Sequence, residues 1–145
     1  MIDVELKAGD IFTWKNYPYY TDKFKPQRWL LYLGNNSIEA VFYQITTTTQ
    51  YQHYTQDGYR KSNNFFELQT GIGGLEEKSI LDLSFFVSMP EAYLNNHKSD
   101  ITRRGTLPQE YINKFVKHLK IDRHIQTIVK KDIYRYLRDA GFTVS

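Results

Sequence analysis

"RWLLYLGNNSIEAVFYQITTTT" runs from Arg28 to Thr49, and its reading decides the fold. The first six residues are an apolar run headed by a cation. Their length and composition suit a strand buried on both faces. "GNNS", Gly34 to Ser37, is a hairpin turn. Ile38 to Thr49 is rich in β-branched and aromatic residues and reads as a long second strand. Antiparallel pairing of the two arms sets the start of the first beside the end of the second. Arg28 is thereby expected at the same rim of the sheet as Thr46 and Thr47, one guanidinium beside two hydroxyls.

Working outward, "DIFTW" alternates as a short strand after an Ala8-Gly9 turn. Between it and Arg28 lies "NYPYYTDKFKPQ", Asn16 to Gln27, where Pro18 and Pro26 break any strand and an exposed aromatic loop is expected. Residues 50–64 are too polar to bury, and Asp57-Gly58 could close a hairpin between "YQHYT" and "YRKS". "FFEL" (Phe65 to Leu68) reads as a strand, "TGIGG" (Thr70 to Gly74) as a turn, and "SILDLSFFVSM" (Ser79 to Met89) as the last strong strand. The remainder is helical. Thr106 and Gln109 form a capping-box pattern, with Pro108 in the first turn. Tyr111, Ile112, Phe115, Val116 and Leu119 make one apolar face. A second helix follows Asp122 with Ile125, Ile128, Val129, Ile133, Tyr136, Leu137 and Ala140 on its face, and Gly141 ends it. Strands followed by helices define an α+β class. The expectation is a single domain over residues 1–145. Residues 1–89 form mainly a small curled β-barrel of about five to seven strands, and two C-terminal helices within 106–140 pack outside it.

Composition narrows the chemistry. The chain has 145 residues, enough to bury a core without staples, and no cysteine, which excludes disulfides and thiolate chemistry. The aromatic share of 16%, with 12 Tyr and 9 Phe, favours sheets and stacking surfaces. Residues 1–100 carry 9 Lys and Arg against 12 Asp and Glu, whereas residues 101–145 carry 10 against 4. That asymmetry fits a polyanion or an acidic protein partner, and equally helices with solvated lysines. "MIDVELKAGD" has no apolar signal core and no segment approaches a membrane span. A cytoplasmic protein without membrane contact is therefore expected.

Familiar catalytic patterns are missing. "GIGG" lacks the lysine and context of a phosphate loop. His53, His97, His118 and His124 have no metal-binding spacing, so no metal or other cofactor is expected. Of the four, His53 in the polar loop is the candidate acid or base. There is no GxSxG elbow, and Glu76-Glu77 diverge. Arg28, Thr46 and Thr47 remain, with the loop carrying Tyr17, Tyr19, Tyr20, Phe24 and Lys25.

In order, "KAGDIFTW", "RWLLYLG", "YQITTTT" and "TLPQEYINKFVKHL" resemble the MazF/PemK family of toxin ribonucleases. Gly9-Asp10, Arg28, Ile45-Thr46-Thr47 and the helix from Thr106 stand where that family has its motifs, over roughly residues 7–120. The resemblance implies a compact SH3-like or CcdB-like barrel, usually a homodimer. It also implies metal-independent cleavage of single-stranded RNA, and an antitoxin protein that blocks the groove. By the resemblance Arg28 is the transition-state cation, with Thr46 and its neighbour Thr47 as active-site hydroxyls. The loop from Asn16 to Gln27 is the lid. Tyr17, Tyr19, Tyr20, Phe24, Lys25 and His53 are then the candidate RNA contacts, through stacking and charge. The chain departs from the family at Trp29, where proline is usual, and in "DLSFFVSM", which lacks a following arginine. It also carries an extra C-terminal helix. Two other readings fit the residues: a barrel that binds RNA or protein without cutting, and an interaction domain that docks a partner on the Ile125/Val129/Leu137 face.

Overall fold

The computed structural model of the chain describes residues 5–18, 27–47, 52–55 and 58–145, with Thr47 described by its backbone alone. The central hairpin pairs β2 (Gln27–Asn35) with β3 (Glu39–Thr47), Trp29 opposite Ile45 and Leu31 opposite Tyr43. Its turn is held by the Asn36 side chain, whose Oδ1 accepts the backbone N–H groups of Ile38 and Glu39 at 3.0 and 2.8 Å. A bulge precedes the turn at Gly34, which has φ 145°. A Cβ there would lie 2.5 Å from the Tyr136 ring, so glycine is what lets a helix lie against this strand.

Four more strands extend the hairpin: β1 (Asp10–Lys15), β4 (Phe65–Leu68), β5 (Ser79–Pro90) and β6 (Ile101–Thr106). The sheet runs β4-β5-β3-β2-β1-β6, antiparallel throughout. Helices α1 (Glu91–Asn96), α2 (Gln109–Ile121) and α3 (Thr127–Asp139) complete an α+β fold. The expected closed barrel is corrected, because the sheet is open with β4 and β6 at its edges. In place of a closing ladder, the 3-10 turn Ile72–Gly74 after β4 reaches across to β6. Gly73 there meets Gly105 so closely that a Cβ on Gly105 would lie 2.6 Å from the Gly73 carbonyl carbon.

Both faces of the sheet are covered, which explains the unbroken apolar run in β2. Leu31 and Leu33 pack with Phe115, Leu119, Ile133 and Leu137 under α2 and α3. Leu30 and Tyr32 point the other way, into a cluster of Phe12, Trp14, Tyr17, Phe42 and Met89 closed by Leu94 of α1. The five face residues of α2 are all buried, each worth about 1.5–3 kcal/mol over exposure. In α3 the buried stripe is narrower than its periodicity implies. Ile133 and Leu137 are buried, whereas Ile128 is 66% exposed. Asp122 links the two helices, its Oδ1 accepting the N–H groups of His124 and Ile125.

Three further readings are corrected. Ser79–Met89 is not the last strand: β6, "ITRRGT", carries its charges outward on an edge and lacks the apolar density that marks a strand. The capping box does not form. Thr106 belongs to β6 and donates to Asp10 Oδ1 at 2.7 Å, and Pro108 takes the N-cap position. The Gln109 amide donates instead to Asn113 Oδ1 and the Thr143 carbonyl. Lastly, no hairpin forms among the described residues of the 50–64 segment, and Asp57 lies outside them. Gln52–Tyr54 is a 3-10 turn tied to the following turns by the Arg60 N–H, which donates to the His53 carbonyl at 2.7 Å. Among the described residues no helix is long and apolar enough to cross a membrane.

Candidate functional site

The register carries Arg28 and Thr46 to one rim. Trp29 opposes Ile45, so the next position outward sets Arg28 beside Thr46. Arg28 also opposes Trp14 of β1, and Thr46 opposes Ile80 of β5. Strand alternation puts Arg28 on the face of Leu30 and Tyr32. Thr46 shares that face with Phe42 through Gln44, whose amide donates to the Tyr17 hydroxyl at 3.3 Å. A row of Trp14, Arg28, Thr46 and Ile80 therefore crosses the sheet where the loops after β1 and β3 leave it. Arg28 is half-buried with its Nε enclosed.

The segment after β3 folds over the Thr46 side of this row. Its anchor is Asp82, fully buried on β5. Asp82 Oδ2 accepts the Tyr54 hydroxyl at 2.8 Å and the Asn63 amide at 2.9 Å, and Oδ1 accepts the Ser84 N–H at 2.9 Å. A buried carboxylate held by three donors is well satisfied. Thr46 and Arg60 favour the ionised phenol, but less strongly than burial and Asp82 oppose it. Burial first, then the hydrogen bond and charge of Asp82, push the Tyr54 phenol up to about 12. It is therefore a protonated donor at neutral pH and no base. Thr46 itself is only 4% exposed.

On the other side of Arg28 the row is walled by aromatics. The Trp14 ring lies 5.4 Å from Tyr17 and 5.9 Å from His97, and His97 stacks on Tyr93 at 4.3 Å. The expected lid residue Tyr17 is thus buried in the second core cluster rather than exposed for stacking, because Trp14 and Gln44 hold it down. Tyr19, Tyr20, Phe24 and Lys25 lie outside the described residues, as does the Thr47 side chain; the Thr47 backbone ends β3 opposite Ser79. His53 sits in the folded-over segment with its ring 4.5 Å from that of Tyr59.

Tyr54, Arg60 and Asp82 are the site members that the sequence reading passed over. Asp82 had a signal, a carboxylate within an otherwise apolar strand. Tyr54 and Arg60 had none, since their segment has no periodicity. The basic C-terminal charge is divided as well. Arg103 pairs with Asp10 at 3.1 Å, and Arg104 donates to Thr13 Oγ1 at 2.9 Å with its guanidinium over the Trp29 ring.

These elements define an antiparallel α+β protein with cations, hydroxyls and aromatic rings gathered at one rim of its sheet. No protein-family model matches the chain, and no curated protein matches it in sequence.

Proposed function

We propose that the protein is a metal-independent endoribonuclease of the MazF/PemK type that cleaves single-stranded RNA. The reading also carries a homodimer and an antitoxin protein whose peptide lies across the groove. The observation that carries it is the pairing of Arg28 and Thr46 in register at one rim, beside the packed rings of Trp14 and Tyr17. In this chemistry the ribose 2′-oxygen bonds to the adjacent phosphorus as the P–O5′ bond breaks. The 2′-hydroxyl loses its proton to water and the departing 5′-oxygen takes one from water. The products are a 2′,3′-cyclic phosphate and a 5′-hydroxyl. Charge grows on the non-bridging oxygens, and a fixed guanidinium donating two N–H bonds stabilises it. Thr46 supplies a further hydroxyl beside Arg28, and the Asp82 bond fixes Tyr54 in the segment that folds over it.

A second reading has its own observation. Thr46 is nearly sealed, which favours a module that binds RNA without cutting it. End-group analysis separates the two. Cleavage at a ribonucleotide that stops when that one 2′-hydroxyl is replaced by hydrogen supports the nuclease. Salt-dependent binding by folded protein, with no cleaved product, supports the binder.

A further inference from the structure

We infer that Arg60 forms a second phosphate-binding subsite, on the far side of Thr46 from Arg28, so that successive phosphates of a single RNA strand lie across the two guanidinium groups. This inference rests on the proposed RNA reading and deepens it. The fold brings this cation to β5, the strand beside Thr46, from the segment that follows β3.

Arg60 is fixed before any ligand arrives. Its backbone N–H donates to the His53 carbonyl at 2.7 Å, and its own carbonyl accepts the Asn63 N–H at 3.0 Å. Its guanidinium carbon lies 4.8 Å from the Phe85 ring centre, 5.1 Å from that of Tyr59 and 5.8 Å from that of Tyr54. Stacking on rings holds the planar fork in place while leaving in-plane N–H groups to donate. The Tyr54 ring beside it is bonded to Asp82 on β5, the strand next to β3 and Thr46.

Among the described residues the ion pairs join Lys78 to Glu67, Arg103 to Asp10 and Arg135 to Asp132, and no carboxylate pairs with Arg60. The buried carboxylate of Asp82 is occupied by Tyr54, Asn63 and the Ser84 N–H. Aromatic faces attract a guanidinium without neutralising it. A preorganised, ring-held arginine that no carboxylate among the described residues pairs with is suited to bind an anion. Tyr59, 69% exposed and in contact with both Arg60 and His53, adds an open ring on which an unpaired base can stack.

The test measures binding of 2′-O-methyl oligonucleotides, which cannot be cleaved, as a function of salt. Arg60→Met keeps the apolar stem on the rings and removes the charge, and Arg60→Lys keeps a charge. For oligomers with several phosphates, Arg60→Met is expected to weaken binding about tenfold to a hundredfold. It should also reduce the slope of log K against log salt by about 0.7, the value for one phosphate contact on a single strand. A dinucleotide with a single phosphodiester, held at Arg28, should show neither change, and Arg60→Lys should restore most of the slope. Oligomer binding that depends on Arg28 but has the same affinity and slope in Arg60→Met overturns the subsite and leaves the RNA reading standing. Folded wild type that binds no oligomer overturns both. Calorimetric melting of each variant confirms folding, and should Arg60→Met fail to fold, retention of the full slope by Arg60→Gln overturns the proposal.

Discussion

Replacing Tyr54 with phenylalanine removes one oxygen from the centre of the site. In the native protein that hydroxyl donates to Asp82 Oδ2 at 2.8 Å. Phenylalanine fills the same space against Phe65, whose ring lies 4.6 Å from that of Tyr54, so packing is conserved. What is lost is a hydrogen bond to a buried carboxylate, worth about 1.5–3 kcal/mol. For a chain of 145 residues, at about 2–4 °C per kcal/mol, Tm should fall by roughly 3–12 °C. The pH dependence gives a second signature. The phenol is raised from 10.0 to about 12 in the folded protein. A raised pKa contributes stability that is complete below the unfolded value and is lost as pH climbs through the folded one. The Tm gap between wild type and Tyr54→Phe should therefore be constant up to about pH 10 and narrow towards pH 12. Calorimetry across that range, beside an RNA cleavage assay, reads both effects. A Tm within about 1 °C of wild type at neutral pH, with no narrowing in alkali, would refute the Asp82–Tyr54 anchor.

Other outcomes follow from the packing. Phe115→Ala removes a fully buried ring beneath α2 and should cost about 3–5 kcal/mol in urea unfolding. Gly105→Ala places a Cβ 2.6 Å from the Gly73 carbonyl carbon, so it should destabilise by about 1–3 kcal/mol, with an unchanged Tm counting against the contact between β6 and the 72–74 turn. His118 packs on Phe66, contacts Asn64, and has its pKa lowered from 6.5, first by burial and then by Lys117. Its contribution is complete above about pH 6.5 and is lost as pH falls through the lowered value, so the Tm difference between wild type and His118→Gln should shrink as the pH is taken below about 6.5.

The parts legible in the sequence were those with long periodic signals. The hairpin from Arg28 to Thr47 could be read because a continuous apolar run, a turn and a β-branched run follow one another. Antiparallel geometry then fixes that Arg28 and Thr46 meet. The α2 face could be read because five apolar residues recur at helical spacing. β6 could not, since an edge strand needs only hydrogen bonds along one side and can spend its side chains on charge. Closure of the sheet was equally hidden. It depends on whether β4 pairs with β6, and what joins them instead is the Gly73–Gly105 approach between segments far apart in the chain. Tyr54 and Arg60 were illegible for a related reason. Their positions are set by Asp82 and Phe85 on a distant strand, and nothing local in "QYQHYTQDGYRKSNN" encodes them.

The central claim is that Arg28 stabilises charge on a phosphodiester at this rim. Its most direct test is the rate of cleavage of end-labelled single-stranded RNA in the presence of a chelator, wild type beside Arg28→Ala and Arg28→Lys. The account predicts cleavage by wild type that ends in cyclic phosphate. Arg28→Ala should slow it by about a hundredfold to a thousandfold, with Arg28→Lys intermediate and melting temperatures close to wild type. Cleavage at the wild-type rate by folded Arg28→Ala would contradict it, as would RNA left whole by the folded wild-type protein.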